Sequence, residues 1–162
     1  MSDNQLSPGS GAPHEVDVII EIGPDQGPVK YEICKESGRL RVDRFLKTAM
    51  SYPCHYGYVP STLCGDGDPC DVLVMAPHDL IPGAIITVRP ISMLVMEDEA
   101  GIDNKILAVP VESLSAEYDQ VNALSDVPQV ILDRIEHFFK HYKDLDQNKW
   151  VKVKEWKDKA AA

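Results

Sequence analysis

The chain carries an acidic turn that leads straight into an apolar segment, Asp66-Gly67-Asp68-Pro69-Cys70-Asp71-Val72-Leu73-Val74. Gly67 permits a sharp bend and Pro69 stiffens it, while Asp71 opens a run typical of a buried strand. The three carboxylates of this stretch repel one another unless cations lie between them. A rigid loop of oxygen ligands at the mouth of a strand suits Mg²⁺ or Mn²⁺. The competing interpretation is a solvated turn, because Asp-Gly and Asp-Pro pairs are common in turns.

Short β-type runs continue on both sides of this stretch, with Gly, Pro or Asp between them. They are predicted at residues 16–22, 29–33, 40–45, 71–75, 84–88, 91–96 and 105–110. Many short strands separated by turns indicate a barrel or a sandwich. The alternating segment 149–156 predicts one further strand.

One segment has the periodicity of an amphipathic helix, with an apolar residue every three or four positions. The apolar positions are Leu132, Ile135, Phe138, Phe139, Tyr142 and Leu145. Asp126 is the predicted cap, Pro128 suits the first turn, and the helix body is predicted at 129–145. A shorter helix is predicted at 115–124.

Composition and length limit the class of protein. A chain of 162 residues suits one domain, predicted at 15–162, behind a disordered tail at 1–14 that is rich in Ser, Gly, Pro, Asn and Asp. No apolar run is long enough to span a bilayer and none resembles a signal peptide, so we expect a cytoplasmic protein without a membrane partner. The net charge of −10 argues against a nucleic-acid partner and favours divalent cations.

A second acidic segment, residues 97–105, joins two β-type runs. Taken alone it is typical of a charged hairpin loop. Two acidic loops in one small barrel could also converge on a shared pair or trio of metal ions. Four basic residues lie beside a tyrosine or a carboxylate and together would suit a polyanion bridged by metals. They are Lys30, Arg44, Lys105 and Lys143.

Two other patterns support different interpretations. Residues 149–157 interleave Lys with Trp, which is the best argument for a barrel that binds RNA or single strands, although an alternating strand with Val151 and Val153 inward explains it better. His137 and His141 have the spacing of a zinc pair, but the metalloprotease motif needs Glu directly after the first His. We therefore expect this pair to serve helix packing or a subunit contact.

Taken together, and in order along the chain, these segments resemble the family I soluble inorganic pyrophosphatases of bacterial type. The resemblance covers about residues 16–156, and residues 66–74 match its signature. The other matching motifs are Lys30-Tyr31-Glu32, Val42-Asp43-Arg44-Phe45, Tyr52-Pro53-Cys54-His55-Tyr56-Gly57, Asp98-Glu99-Ala100-Gly101 with Asp103 and Lys105, and His137-Phe138-Phe139-Lys140-His141-Tyr142-Lys143.

The resemblance implies a fold that is α+β but mainly β, an OB-like distorted five-stranded barrel with packed helices. It also implies a homo-hexamer of two trimers that hydrolyses pyrophosphate to two phosphates with Mg²⁺, Mn²⁺ or another divalent ion. By matching position, Asp66, Asp71 and Asp103 would hold a tight metal ion, and Asp98 with Asp103 would hold further ions, with help from Glu32. Asp68 would be the general base. The groups that contact phosphate would be Lys30, Arg44, Tyr56, Lys105, Tyr142 and Lys143, and the supporting residues Glu21, Asp43 and Tyr52.

Overall fold

The computed structural model describes residues 6–162, which form nine strands, one α-helix and three short 3-10 turns. The strands are β1 Val16–Ile22, β2 Val29–Ile33, β3 Leu40–Phe45, β4 His55–Tyr58, β5 Asp71–Val74, β6 Ile85–Asp98, β7 Gly101–Ile102, β8 Lys105–Pro110 and β9 Val151–Asp158. The helix, α1, is Gln129–His141, and the 3-10 turns are Ala116–Tyr118, Leu124–Asp126 and Lys159–Ala161. Among these residues, no helix has the length and apolar character needed to cross a bilayer.

Five of the strands close into a ring, because each pairs with two neighbours in the order β1, β4, β5, β8, β6 and back to β1. Every pairing in the ring is antiparallel except that of β5 with β8, which is parallel. Because the ring is closed, each of these five strands is paired on both of its edges over at least part of its length. The ring and the single helix packed against it confirm the predicted OB-like five-stranded barrel.

The longest strand, β6, corrects one prediction. The runs predicted at 84–88 and 91–96 are one strand that passes through Pro90, where the pairing with β8 shifts register. Proline cannot donate to the ladder, and an irregular register is where a strand tolerates it. The strand therefore pairs with β1 along its first residues and with β9 along its second half, which lets it serve as both barrel wall and support for β9.

Strand β4 was not predicted, because its sequence of His, Tyr, Gly and Tyr lacks the apolar alternation of a typical strand. All four of its residues are buried, and it lies between β1 and β5 in the ring. Gly57 is essential to this position. A Cβ there would overlap the carbonyl oxygen of Ile19 and lie 2.8 Å from its carbonyl carbon.

Helix α1 has the predicted apolar stripe but is shorter than predicted. Leu132, Ile135, Phe138 and Phe139 are buried, whereas Leu145 lies beyond the helix and is 61% exposed. The predictions of a helix to residue 145 and of Leu145 in its stripe are therefore wrong.

The helix also begins differently from the prediction. Pro128 occupies the cap position. The Asp126 carboxylate instead accepts hydrogen bonds from the backbone N–H groups of Asn122 and Ala123, both at 2.9 Å, and so closes the preceding 3-10 turn. In place of the helix predicted at 115–124, the structure has only the 3-10 turn Ala116–Tyr118, because the apolar stripe there is too short to hold a longer one.

Strand β9 confirms the predicted alternation of inward and outward side chains. Its bounds lie two residues further along the chain than predicted. Val151 and Val153 are half-buried against the core. The lysines between and after them point outward, so this segment packs along β6 as a strand with one apolar face.

The tail predicted to be disordered, residues 1–14, lies partly outside the described residues. Residues 6–14 form turns that contact the barrel: the Asp17 N–H donates to the Pro8 carbonyl at 2.9 Å, and the Ser61 hydroxyl donates to the Leu6 carbonyl at 2.6 Å. Defined contacts therefore begin before the predicted domain boundary at residue 15.

The close approach of β1 to β4 predicts a large effect of one methyl group. Gly57→Ala is expected to lower the free energy of unfolding by about 3 kcal/mol or more, because the added carbon forces two paired backbones apart. Gly65→Ala is the control, since nothing lies within 4 Å of a Cβ at that position, and it should change stability by less than about 0.5 kcal/mol. Urea unfolding of both variants measures the difference, and equal midpoints would contradict the proposed close contact.

Candidate active site

A polar cavity of about 260 Å³ lies where β5, β8 and the acidic hairpin β6–β7–β8 meet the end of α1. Its walls include every candidate site residue of the sequence except Glu32. The lining residues are Lys30, Asp43, Arg44, Tyr52, Tyr56, Asp66, Asp68, Asp71, Asp98, Ala100, Asp103, Lys105, Phe139, Tyr142, Lys143 and Lys149. The two acidic segments predicted to converge thus do so.

Hydrogen bonds within the acidic turn between β4 and β5 fix its conformation. The Asp68 N–H donates to Asp66 Oδ1 at 3.0 Å, and the Cys64 N–H donates to the Asp68 carbonyl at 2.7 Å. Gly67 lies at the bend with φ +87°, a conformation that L side chains rarely adopt. This turn presents Asp66 and Asp68 to the cavity, and Asp71 follows as the first residue of β5.

The parallel pairing of β5 with β8 sets Asp71 level with Lys105. The Lys105 side chain is 3% exposed, and its Nζ donates to Asp71 Oδ2 at 2.7 Å, Asp103 Oδ1 at 2.6 Å and the Tyr56 hydroxyl at 3.1 Å. Burial by itself would lower the pKa of Lys105. The charges of Asp71 and Asp103 outweigh burial and raise this pKa, so the ammonium form persists.

The acidic hairpin is tied to the residues that follow α1. Lys143 Nζ donates to Asp98 Oδ2 at 2.9 Å and lies 3.6 Å from Glu99 Oε1. Burial favours a higher pKa for Asp98, but the hydrogen bonds from Lys143 and from the Ala100 N–H, together with the Lys143 charge, leave it below its usual value. For Asp103 burial dominates, and with the charges of Asp71 and Asp98 it raises the pKa.

The β2–β3 hairpin supplies the basic side of the cavity. Lys30 lies opposite Arg44 in the ladder, and Asp43 lies between them, 3.0 Å from Lys30 Nζ and 3.9 Å from Arg44 Nε. Arg44 Nε is buried and, within residues 6–162, has no hydrogen-bond partner. A buried cationic donor of this kind is suited to an anion in the cavity.

Glu32 does not line the main cavity. It lines an adjoining cavity of about 160 Å³, which shares Lys30, Tyr56, Asp68 and Asp71 with the main one. Its side chain is 50% exposed and lies 3.7 Å from Lys30 Nζ. Glu32 therefore shares a cavity with Asp71 but not with Asp66 or Asp103, the other two carboxylates proposed for the tight metal site.

Glu21 lines the same adjoining cavity and is the most perturbed acid there. Its carboxylate is buried and accepts a hydrogen bond from the Ile33 N–H at 2.7 Å. Burial raises the pKa of Glu21 from 4.5 to about 8, and the Ile33 hydrogen bond only partly opposes this. The sequence suggested a supporting role from the resemblance alone, because burial of an acid is not visible in a strand of apolar neighbours.

Three further residues of the main cavity, Ala100, Phe139 and Lys149, were not among the predicted site residues. Lys149 was interpreted as part of a basic strand, and Phe139 as a core residue of α1. Phe139 is indeed buried, but its ring centroid lies 5.8 Å from Lys105 Nζ, so it also borders the site. No sequence signal separates such a residue from the rest of an apolar stripe.

The donors of the cavity suit a hard divalent cation, because the acidic side chains offer only oxygen. Within residues 6–162, however, no three or more His, Cys, Asp or Glu side chains are grouped as a ready-made metal site. Asp71 and Asp103 are bonded to Lys105, and Asp98 to Lys143. The chemical type of the ligands therefore fits such an ion, while their present partners are lysines.

Comparison with known proteins gives concordant matches over almost the whole chain. The model of the family described as inorganic pyrophosphatase matches residues 18–162. The inorganic pyrophosphatase of Rickettsia prowazekii (strain Madrid E) is 54% identical over 149 residues, which are 92% of this chain and 87% of that protein. That of Yersinia pestis is 53% identical over 162 residues, covering 100% of this chain and 93% of the relative.

Solved structures agree in fold as well as sequence. An inorganic phosphatase from Anaplasma phagocytophilum superposes with a TM-score of 0.95 at 50% identity, covering 97% of this chain and 92% of the other. The inorganic pyrophosphatase from Thermus thermophilus gives a TM-score of 0.93 at 39% identity, covering 99% and 92%.

The burial of Glu21 predicts a specific pH dependence of stability. Because the folded-state pKa is about 8 against an ordinary 4.5, the stability that its protonated form contributes is complete below about pH 4.5 and is lost as the pH rises to about 8. Glu21→Gln cannot lose this proton. Its free energy of unfolding should therefore rise relative to wild type by about 3–4 kcal/mol between pH 5 and pH 8.

Urea unfolding in buffers with a chelator measures this difference, with Glu36→Gln as the control for loss of an exposed carboxylate. If wild type and Glu21→Gln keep a constant difference across this range, Glu21 is ionised in the folded protein and the argument from burial is wrong.

Proposed function

The chain belongs to the inorganic pyrophosphatase family, and from this premise we propose how its own side chains hydrolyse pyrophosphate to two phosphates. The family match and the identities above 50% support that reaction for this enzyme. The observation that carries the proposal for the mechanism is the single cavity. Carboxylates from two acidic loops line it together with lysine, arginine and tyrosine side chains.

In this proposal Asp66, Asp71 and Asp103 would hold one Mg²⁺ tightly, and Asp98 with Asp103 would hold further ions. Mn²⁺ or another hard divalent ion could replace Mg²⁺, because the ligands are all oxygens. Glu32 would assist one of these ions from the adjoining cavity. The bound ions would offset substrate charge and lower the pKa of the attacking water.

Asp68 is the general base in this proposal. Three other acids of the cavity, Asp71, Asp98 and Asp103, are each bonded to a lysine. Within the described chain no hydrogen bond or ion pair engages the Asp68 carboxylate, which lies on the exposed turn. An acid free of a cationic partner and facing the cavity can accept a proton from water as the water oxygen attacks phosphorus.

The basic residues receive the phosphoryl oxygens. Lys30, Arg44, Tyr56, Lys105, Tyr142 and Lys143 would contact them in this proposal. Burial raises the pKa of Tyr56 well above its usual range, so its hydroxyl keeps a proton to donate. As the bridging P–O bond breaks, these cations and hydroxyls stabilise the charge that develops on the leaving phosphate. No covalent intermediate is required.

The assembly is proposed to be a homo-hexamer in the cytoplasm. His137 and His141 lie together on α1, with ring centroids 4.7 Å apart, and both side chains are exposed. Two apposed imidazoles on an exposed helix face suit the subunit contact expected from the sequence. The nucleic-acid alternative finds less support, because Lys154 of β9 pairs with Glu97 at 2.7 Å and Lys149 borders the polar cavity.

The oxygen-only ligand set predicts that phosphate release from pyrophosphate requires added Mg²⁺ and stops when a chelator removes it. Zinc should not be needed, because none of the proposed ligands is a thiolate or an imidazole. Colorimetric phosphate assays of dialysed protein, with Mg²⁺ added back in steps, measure this. Full turnover in metal-free buffer would refute the proposed metal requirement.

The different partners of the aspartates predict different losses in their Asn variants. Asp68→Asn should lower turnover by roughly 10²–10⁴-fold, the usual worth of general-base catalysis, without recovery in excess Mg²⁺. Asp66→Asn and Asp71→Asn should bind Mg²⁺ more weakly and regain part of their activity when Mg²⁺ is raised. Mg²⁺ calorimetry paired with phosphate-release rates separates the two roles. If Asp68→Asn instead loses tight Mg²⁺ binding and is rescued by excess metal, then Asp68 is a ligand.

A further inference from the structure

Lys105 is proposed to contact a phosphate oxygen, yet all three N–H donors of its ammonium group already have acceptors in the protein. An ammonium group has three N–H donors and no acceptor. Its three contacts are Asp71 Oδ2 at 2.7 Å, Asp103 Oδ1 at 2.6 Å and the Tyr56 hydroxyl at 3.1 Å. Lys105 can therefore bind a phosphate oxygen only after it releases at least one of these groups.

The same contacts restrict the two carboxylates. Asp71 and Asp103 are proposed ligands of one divalent ion, and each now places an oxygen against the Lys105 ammonium. A divalent cation beside an ammonium in this buried setting would be repelled, because the Coulomb energy of close charges is large away from water. The ammonium is 3% exposed, so little solvent screens it.

The surroundings of Lys105 limit where the ammonium can go. Its Nζ lies 5.5 Å from the Tyr56 ring centroid and 5.8 Å from that of Phe139, and both rings line the cavity. Electron-rich ring faces attract a cation and hold it near the cavity even when one carboxylate contact is lost. A small displacement along these rings would aim the ammonium at a ligand inside the cavity.

We propose that Lys105 is a built-in competitor of the tight metal ion, held by Asp71 and Asp103 until those carboxylates take up Mg²⁺ and thereby free the ammonium for phosphate. The inference rests on the proposed metal site. In the metal-free protein the Lys105 charge offsets part of the negative charge of the two acids. The exchange also weakens metal binding, because part of its free energy is spent in separating the ion pairs.

Mg²⁺ calorimetry without substrate tests this on the full chain. Lys105→Gln keeps an N–H donor for one carboxylate but removes the charge, and Lys105→Met removes both. Each variant should bind the tight Mg²⁺ at least about 10-fold more strongly than wild type, because the repelling charge is gone. Lys30→Met is the matched control, because it removes one lysine charge from the same cavity. Lys30 is bonded to Asp43 rather than to Asp71 or Asp103. The Mg²⁺ affinity of this variant should therefore stay within about 3-fold of that of wild type.

Thermal unfolding with and without Mg²⁺ supplies a second readout, which also applies to a variant that is only marginally stable. Saturating Mg²⁺ should raise the midpoint of Lys105→Gln and Lys105→Met by more than it raises that of wild type, because tighter binding stabilises the folded state more. Equal or weaker Mg²⁺ binding by both variants, with midpoint shifts no larger than that of wild type, would overturn the inference.

The variant Asp71→Asn distinguishes this failure from failure of the proposed metal site. If wild type binds Mg²⁺ tightly and Asp71→Asn binds it weakly while the Lys105 variants match wild type, only the competition by Lys105 is wrong. If Asp71→Asn binds Mg²⁺ as tightly as wild type, the assignment of the metal site itself is wrong.

Discussion

The buried ammonium of Lys105 between Asp71 and Asp103 is the interaction around which the site is arranged. Each of these three charges would be costly in the barrel alone, and each is tolerated because the others neutralise it. The geometry depends on one feature of the fold. Because β5 and β8 are parallel neighbours, their first residues, Asp71 and Lys105, lie side by side at the same end of the barrel. That end is where the acidic turn and the acidic hairpin both arrive.

Neutralisation also explains why chemically identical aspartates can differ in role. Asp98 is bonded to Lys143, and burial and neighbouring charge leave Asp103 with a raised pKa. Asp68 lies on a tight turn whose backbone contacts leave its carboxylate without a cationic partner in the described chain. A base must accept a proton, and an acid already held by an ammonium does so poorly. The partners thus set Asp68 apart from Asp71, Asp98 and Asp103. Asp66, whose carboxylate accepts only the Asp68 N–H within the described chain, is proposed as a ligand from its position in the family motif.

The aromatic residues connect the site to the core. Tyr142 caps the end of α1 and stacks on Phe138 with ring centroids 5.0 Å apart, while the Phe139 ring lies edge-on to it at 5.6 Å. The apolar stripe that docks the helix is therefore also the wall that positions Tyr142 and borders Lys105. Loss of helix packing would displace Tyr142 and Lys143 of the cavity, so stability and activity are physically linked here.

Much of this protein could be predicted from local sequence. Four strands have the predicted bounds, β1, β2, β3 and β8, because apolar runs bounded by turn residues encode them directly. Residues 66–74 indicated an acidic loop at the mouth of a strand, and the candidate metal-binding, base and phosphate-binding residues line one cavity apart from Glu32. These features were accessible because they depend on residue type and spacing within short segments.

Other features depended on contacts between distant segments, and only the tertiary structure decided them. Strand β4 is a strand because β1 and β5 flank it, not because of its own pattern, and Gly57 is required by the backbone of Ile19. The end of α1 before Leu145 and the capping of a different turn by Asp126 follow from where the chain leaves the core. The sequence likewise did not determine the partners of Lys105, the burial of Glu21 or the position of Glu32 outside the main cavity. Burial and charge pairing arise only when the barrel closes and brings residues that are far apart in the chain within a few ångströms of one another.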